Sequence, residues 1–331
     1  MSVLVTGAGS VYGTGIIRAL KASVLPIKIL AVDINPYALG LFMADKCFVV
    51  AQAGFEESYY LFIENLCKNY QIKAIFIGSG REISFYAPKK EMLEKSTGAK
   101  VFVSSPKVIK ICTDKWLTMT YLHRSGFQVP LTVRYPEDYD RFPLFFNKTG
   151  FPLIVKPRLG RGSEGVMLIK NKRELWKNVK GKKKLIVQEY IPGEEQEFTV
   201  GVCLDHIGRV ISKIALRRYL QEGVSMVAVS DDYHDIADYC AGVAGSLNAY
   251  GALNLQLRLK EGKPVIFEIN PRFSSSTGMR LLLGINEPES LIRSEVLGQE
   301  VIPERAKTGL ILRQYTDYYF PLDRLKEIRN D

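Results

Sequence analysis

The stretch Val265-Ile266-Phe267-Glu268-Ile269-Asn270-Pro271-Arg272 constrains this chain more than any other. It is an apolar run, rich in β-branched and aromatic residues, that acquires a carboxylate and an amide two positions apart. Side chains on a strand alternate faces, so Glu268 and Asn270 share one side and Ile269 takes the other. Two oxygen ligands one strand-step apart suit a hard cation such as Mg²⁺. Arg272 continues that face and sets a fixed positive charge beside the cation, as sites that handle phosphoryl groups require. Upstream, residues 251–259 read as a strand with Asn254, Gln256 and Arg258 on the face opposite the leucines. Glu261-Gly262-Lys263 supplies a hairpin turn. Pairing then carries Gln256 up to Glu268 and Asn270, a cluster of three oxygens.

Composition narrows the setting. A chain of 331 residues is long for one core and implies roughly two or three domains. No apolar run approaches the roughly 20 residues of a membrane span. The start, Met1-Ser2-Val3-Leu4-Val5-Thr6-Gly7, reads as a first strand, not as a signal peptide. The five cysteines are scattered without a C-x-x-C, and the three histidines are dispersed. Neither a disulfide scaffold nor a zinc site follows, and a reducing cytoplasm is expected. The net charge of +10 raises the question of nucleic acid. Residues 170–184 hold eight basic residues against the single acid Glu174, so one segment carries most of the excess. A solvated helix face and turn account for it, and no nucleic-acid partner is expected.

Taken in order, residues 3–6 form a strand leading into Gly7-Ala8-Gly9-Ser10, with a helix over 14–22 and a second strand over 27–32 ending at Asp33. That is the outline of a dinucleotide-binding unit, with imperfect glycine spacing because Tyr12 precedes Gly13. Helices over 59–69 and 88–96 alternate with strands over 73–78 and 101–104, which predicts a parallel, doubly wound sheet. Its strand ends at 7–10, 33–35 and 79–82 can line a crevice. From about residue 106 the pattern changes. Two helices, a connector at Val129-Pro130 and a helical region over 138–146 precede a strand-turn-strand over 153–169. There Lys156 ends a strand, and the glycine- and serine-rich turn can wrap phosphates with backbone N–H groups. It lacks the closing lysine and following helix of a P-loop. A strand over 185–191 breaks at Pro192-Gly193. An antiparallel stretch over 210–220, a loop over 221–225 and a helix over 232–247 lead back to the hairpin.

Lys156-Pro157 with its glycine flap, Gln188-Glu189-Tyr190-Ile191-Pro192-Gly193-Glu194-Glu195, Asn254-x-Gln256 and Glu268-Ile269-Asn270-Pro271-Arg272 together resemble the ATP-grasp superfamily. The type most similar is that of the carbamoyl-phosphate synthetase large subunit and stand-alone carboxylate–amine ligases. The resemblance implies mixed α/β and α+β architecture: an N-terminal doubly wound parallel domain over 1–110, a small subdomain with the phosphate flap over 111–187, and a large subdomain with the metal site over 188–331. It further implies that Lys115 and Lys156 hold ATP phosphates beneath a flap that includes Arg161, Gly162 and Ser163. Gln188, Glu189, Tyr190 and Ile191 bracket adenine, Glu195 or Glu197 takes the ribose, and Asn254 contributes to the nucleotide site. Gln256, Glu268 and Asn270 ligate one or two Mg²⁺, with Mn²⁺ as a substitute, and Arg272 steadies the γ-phosphoryl group. The implied reaction converts a carboxylate to an acyl phosphate and then, by attack of an amine, to an amide, ADP and phosphate. A homodimer is the partner that the resemblance allows. Gln256 stands where most of the superfamily has an acid, a trait shared with the synthetase type. The second arginine that the synthetase has near position 275 is missing.

Ser79, Arg81, Arg217, Arg218 and Arg280 are candidate anchors for a substrate carboxylate, because a guanidinium matches a carboxylate in bidentate fashion. Two other readings stand beside the ligase. An NAD(P)-dependent oxidoreductase would use 7–15 and Asp33, and a nucleotide-binding regulator would keep the fold without turnover.

Overall fold

The computed structural model describes residues 1–50, 56–160, 164–221 and 223–330. Strands β1 (Ser2–Thr6), β2 (Lys28–Asp33), β3 (Lys46–Val49), β4 (Ile72–Ile77) and β5 (Lys100–Val101) form a parallel sheet in the order β3-β2-β1-β4-β5. Near-continuous apolar strands such as Val3-Leu4-Val5 are what a sheet covered on both faces requires, and all three residues are fully buried. Ser10 caps the helix Val11–Lys21 by accepting from Gly13 N at 2.9 Å.

Strands β6 (Thr132–Tyr135), β7 (Leu153–Pro157), β8 (Met167–Ile169) and β9 (Leu185–Glu189) form a four-stranded antiparallel sheet in the order β6-β9-β7-β8. Aromatic residues of the helix Phe142–Thr149 and Trp176 pack over it. The third sheet holds β10 (Glu197–Leu204), β11 (Val210–Gln221), β12 (Val224–Ser230), β13 (Gly251–Lys260), β14 (Lys263–Asn270) and β15 (Gly309–Leu312). All its pairings are antiparallel, and the order is β14-β13-β10-β11-β12-β15.

Four readings of the sequence need correction. The helix expected at 88 begins at Ile83 and carries Pro88 inside it. Pro88 costs the bond to Ser84 O, which water can solvate because Ser84 is exposed. The connector before 138 contains β6, a strand of four residues that needs β9 beside it. Of the stretch read as a loop over 221–225, Gln221 ends β11 and Val224 and Ser225 already belong to β12. Strand β5 spans two residues rather than four.

The β13–β14 hairpin turns at Glu261 and Gly262, both at positive φ (53° and 75°), the conformation that two-residue hairpins favour. Gln256 pairs with Glu268 and Asn254 with Asn270, but Leu257 pairs with Ile266. Phe267 is therefore the extra residue of a bulge. Ile266 and Ile269 both enter the core, which plain alternation over three positions forbids. The bulge lets them do so while Glu268 still faces the cleft.

Candidate functional site

A cleft of about 260 Å³ lies between the four-stranded and six-stranded sheets. Register places its floor in rows across β11, β10, β13 and β14. One row is Arg218, Glu197 and Arg258; the next contains Thr199, Gln256 and Glu268; the third has Gly201, Asn254 and Asn270. Lys115, Lys156, Gln188, Glu189, Tyr190 and Ile191 line the same cleft from the other side.

The second row and its neighbour are open in the way a metal site needs. Glu268, Asn270 and Gln256 are half-buried, and Asn270 Nδ2 donates to Glu268 Oε1 at 3.2 Å. Arg272 donates from Nη2 to Asn270 Oδ1 (3.1 Å) and from Nη1 to Phe273 O (2.9 Å), with its guanidinium 3.9 Å from the centre of the Tyr12 ring. Tyr12 thus brings the glycine turn of the parallel sheet to the cleft. Its signal in the sequence was the very residue that spoils the glycine spacing. Among the described residues no group of three His, Cys, Asp or Glu side chains could hold a metal. One carboxylate and two amides are hard oxygen donors that fit Mg²⁺, with phosphate oxygens needed to complete its shell.

Lys156 is buried and donates to Phe267 O, the carbonyl of the bulge, at 3.4 Å. Burial pushes its ammonium down to about 8, against the opposing pull of Glu268. Lys115 is lowered by burial as well and donates to Gly160 O at 2.9 Å, at the foot of the flap. Asp114 caps the helix Lys115–Arg124 and pairs with Arg158 at 2.7 Å, fixing that helix to the strand end before the flap. Arg161, Gly162 and Ser163 lie outside the described residues.

Glu197 is not free to take a ribose. Its Oε1 accepts from Arg218 Nε and Nη2 (3.2 and 2.9 Å) and its Oε2 from Arg258 Nε and Nη2 (3.0 and 2.8 Å). Arg258 also donates from Nη1 to Ile191 O at 2.8 Å, so the row of charges anchors the strand exit where adenine was expected. Glu195 is exposed and makes no such clamp. The Glu189 carboxylate is engaged by Lys260 at 2.5 Å and by Leu131 N at 3.0 Å, and its own backbone N–H donates to Leu131 O at 2.8 Å. Gln188 donates from Nε2 to Thr132 Oγ1 at 3.0 Å.

The candidate anchors separate. Arg218 lines the cleft. Arg217, its neighbour on β11, pairs with Phe198 and faces the opposite side of the sheet, as alternation dictates. Arg280 is 1% exposed and ion-paired to Glu287 at 2.8 Å, out of reach of a substrate. Ser79 and Arg81 follow the C-terminal end of β4 and do not line the cleft. The dinucleotide reading of the glycine turn meets a closed loop: Asp33 accepts from Gly9 N (2.7 Å) and Asn35 N (2.9 Å). A ribose would have to displace the chain's own backbone.

Comparison with known proteins agrees with this geometry. Residues 3–102 match the family described as PylC-like, N-terminal domain, and residues 181–317 the family described as ATP-grasp in the biosynthetic pathway with Ter operon. The chain is 27% identical over 178 residues to D-alanine--D-alanine ligase A of Bacillus cereus, covering 48% of this chain and 57% of that one. It is 28% identical over 144 residues to the carbamoyl phosphate synthase large chain of Caldanaerobacter subterraneus subsp. tengcongensis, covering 38% of this chain and 13% of that one. Both matches span less than two thirds of the relative. Among solved structures, N5-carboxyaminoimidazole ribonucleotide synthetase from Thermotoga maritima superposes with a TM-score of 0.67 at 20% identity, over 92% of this chain and 78% of that one. The biotin carboxylase domain dimer of Hydrogenobacter thermophilus 2-oxoglutarate carboxylase, crystallised with MgADP, ADP and bicarbonate, gives 0.70 at 20% identity, over 92% and 71%. The fold is a mixed one, an N-terminal parallel α/β sheet followed by two antiparallel sheets around the cleft. The match over residues 181–317 is to an ATP-grasp family, and these solved structures share the fold over more than nine tenths of the chain.

Proposed function

We propose that the chain is an ATP- and Mg²⁺-dependent carboxylate–amine ligase. The observation that carries this reading is the cleft itself, with Lys115 and Lys156 facing Gln256, Glu268, Asn270 and Arg272. The names of the curated relatives, ligase and synthase, and the MgADP held by a structural neighbour support it. We infer with it the three-part division at 1–110, 111–187 and 188–331.

Gln256, Glu268 and Asn270 would hold Mg²⁺, or Mn²⁺ in its place, which when bound neutralises charge on the phosphates. Lys156 and Lys115 take the remaining phosphate charge, and the strand exit at 188–191 brackets the adenine. With Glu197 engaged, Glu195 is the acid left for the ribose. A carboxylate oxygen of the substrate, which Arg218 anchors, attacks the γ-phosphorus, and the bond to the β-γ bridging oxygen breaks to release ADP. Arg272, held flat against Tyr12, balances the charge that gathers on the transferred group. An amine then attacks the acyl carbon, phosphate leaves, and the amine gives up a proton. Positioning and charge balance perform this chemistry without a side-chain nucleophile. The small carboxylate and amine are the partners. We place the enzyme in the cytoplasm as a homodimer; the cysteines, all free and buried, suit a reducing compartment, and a neighbour crystallised as a dimer suits the assembly. No helix among the described residues is long and apolar enough to cross a membrane.

Thermal unfolding tests the reading. ATP with Mg²⁺ should raise Tm and NAD(P)H should not, because only a ligand of the native state stabilises it, by about 2.7 kcal/mol at a hundred times Kd. A shift with NAD(P)H alone refutes the ligase and restores the dehydrogenase.

A further inference from the structure

The third row of the cleft floor contains an amide whose orientation is fixed from behind. Asn254 lines the cleft but is only 2% exposed. Its Oδ1 accepts from Thr199 Oγ1 at 2.8 Å and from Arg280 Nη2 at 2.5 Å. A hydroxyl can donate or accept, but a guanidinium only donates. The atom that meets Arg280 must therefore be the oxygen, and the amide cannot be turned round. What Asn254 has left for the cleft is its NH₂ group.

Arg280 is held in turn. Its Nη1 donates to Glu287 Oε1 at 2.8 Å, both residues are 1% exposed, and Thr277 Oγ1 donates to Glu287 Oε2 at 3.4 Å. The pair fills a notch in the sheet. Gly201, the register partner of Asn254, has no side chain, and a Cβ there would overlap both the guanidinium and the carboxylate. Burying an ion pair costs several kcal/mol in desolvation, and apolar residues of like volume often do as well. Neither Arg280 nor Glu287 lines the cleft. Their reach into it is through Asn254.

We propose that Asn254, oriented by the buried Arg280–Glu287 pair, donates hydrogen bonds to an oxygen of the terminal phosphoryl group of the nucleotide, with Arg280 as a positioning residue. The proposal rests on the nucleotide reading of the cleft. Asn254 pairs across the hairpin with Asn270, whose oxygen receives Arg272, so its donors stand beside the metal-facing row where phosphoryl oxygens would gather. The same geometry removes Asn254 from the metal shell, because an amide binds a hard cation through its oxygen.

Asn254→Asp is the decisive variant. It keeps an acceptor toward Arg280 and Thr199, so the fold is retained, and changes only the cleft-facing atom from a donor to an anionic oxygen. Calorimetric titration of the full chain with the Mg²⁺ complex of a non-hydrolysable β,γ-imido ATP analogue should show a loss of about tenfold or more, the worth of a charge-assisted hydrogen bond. Affinity for MgADP, which lacks the terminal group, should change by less than about threefold. Unchanged analogue affinity overturns the contact, and tighter binding overturns it in favour of a metal ligand. Arg280→Met with Glu287→Leu leaves net charge unaltered and frees the amide to rotate, so it should show a smaller loss confined to the analogue. Full analogue affinity there overturns the positioning role of Arg280, and a simple repulsion by the carboxylate introduced in the first variant would leave this second variant untouched. Absence of analogue binding by the unaltered chain would instead overturn the nucleotide reading.

Discussion

Two regions of this molecule have the residues of a nucleotide site, and they use them in opposite ways. The glycine turn after β1 spends its polar groups on itself. Asp33 receives two backbone N–H groups, Ser10 caps its helix and bonds Gly78 O, and a Cβ on Gly9 or Gly13 would collide with Ala38 or with Gly7 and Ala8. Those glycines serve close packing. The cleft between the other two sheets does the reverse. Its saturated groups, Glu197 with two arginines and the Asn254 oxygen with Arg280 and Thr199, hold a frame around lysines, a carboxylate and amide groups that still face open space. A site is recognised by what it leaves unpaired, and motif spacing does not report that.

The largest effect should come from the open side. Glu268→Ala removes the single carboxylate of the metal row and should reduce Mg²⁺-dependent nucleotide affinity by roughly a hundredfold. Calorimetry with and without Mg²⁺ reads this directly. Equal affinity in variant and parent would move the metal away from this row. A second effect is pH-dependent. Because burial holds Lys156 down to about 8, its charge disappears as pH rises through that value. Nucleotide affinity should therefore be steady below about pH 7 and fall toward tenfold weaker near pH 9. A flat profile would mean that Lys156 does not face the phosphates.

The closed side should respond in stability alone. Asp33→Ala leaves Gly9 N and Asn35 N without their acceptor and should cost about 1–2 kcal/mol, seen as a lower Tm. The increment in Tm that MgATP produces should be the same as in the parent. If the increment vanished with Asp33, the two regions would have exchanged roles.

How much of this was legible depends on whether the signal was local. The hairpin of β13 and β14 was readable because alternation, a Glu-Gly turn and two polar faces lie within twenty residues of one another. The bulge at Phe267 was hidden, since it is fixed by Ile266 and Ile269 both needing the core. β6 was hidden because four residues ahead of a proline carry little pattern until β9 pairs with them. Glu197 read as an acid for the ribose, and only register, which sets it in one row with Arg218 and Arg258, shows that two arginines already hold it. Arg217 was within reach of the sequence: adjacent residues on a strand cannot both face one cleft.

The smallest effect belongs to the parallel sheet and tests its closure most finely. Glu82 accepts from Thr6 Oγ1 and Tyr59 OH, each at 2.7 Å. Burial raises its carboxyl above the ordinary value by more than these bonds lower it, and the charge of Asp33 adds to the rise. A raised pKa in the folded state means that the native protein holds the proton more tightly than the unfolded chain. The resulting stability is complete below the ordinary glutamate range and is lost as pH rises through the raised value. Glu82→Gln stays neutral throughout and can still bond both hydroxyls. Its Tm should match the parent in mild acid and exceed it slightly at neutral pH, with MgATP stabilising both alike. Parallel Tm curves would show that Glu82 titrates as it does in the unfolded chain, and that this edge of the sheet is wetter than its hydrogen bonds imply.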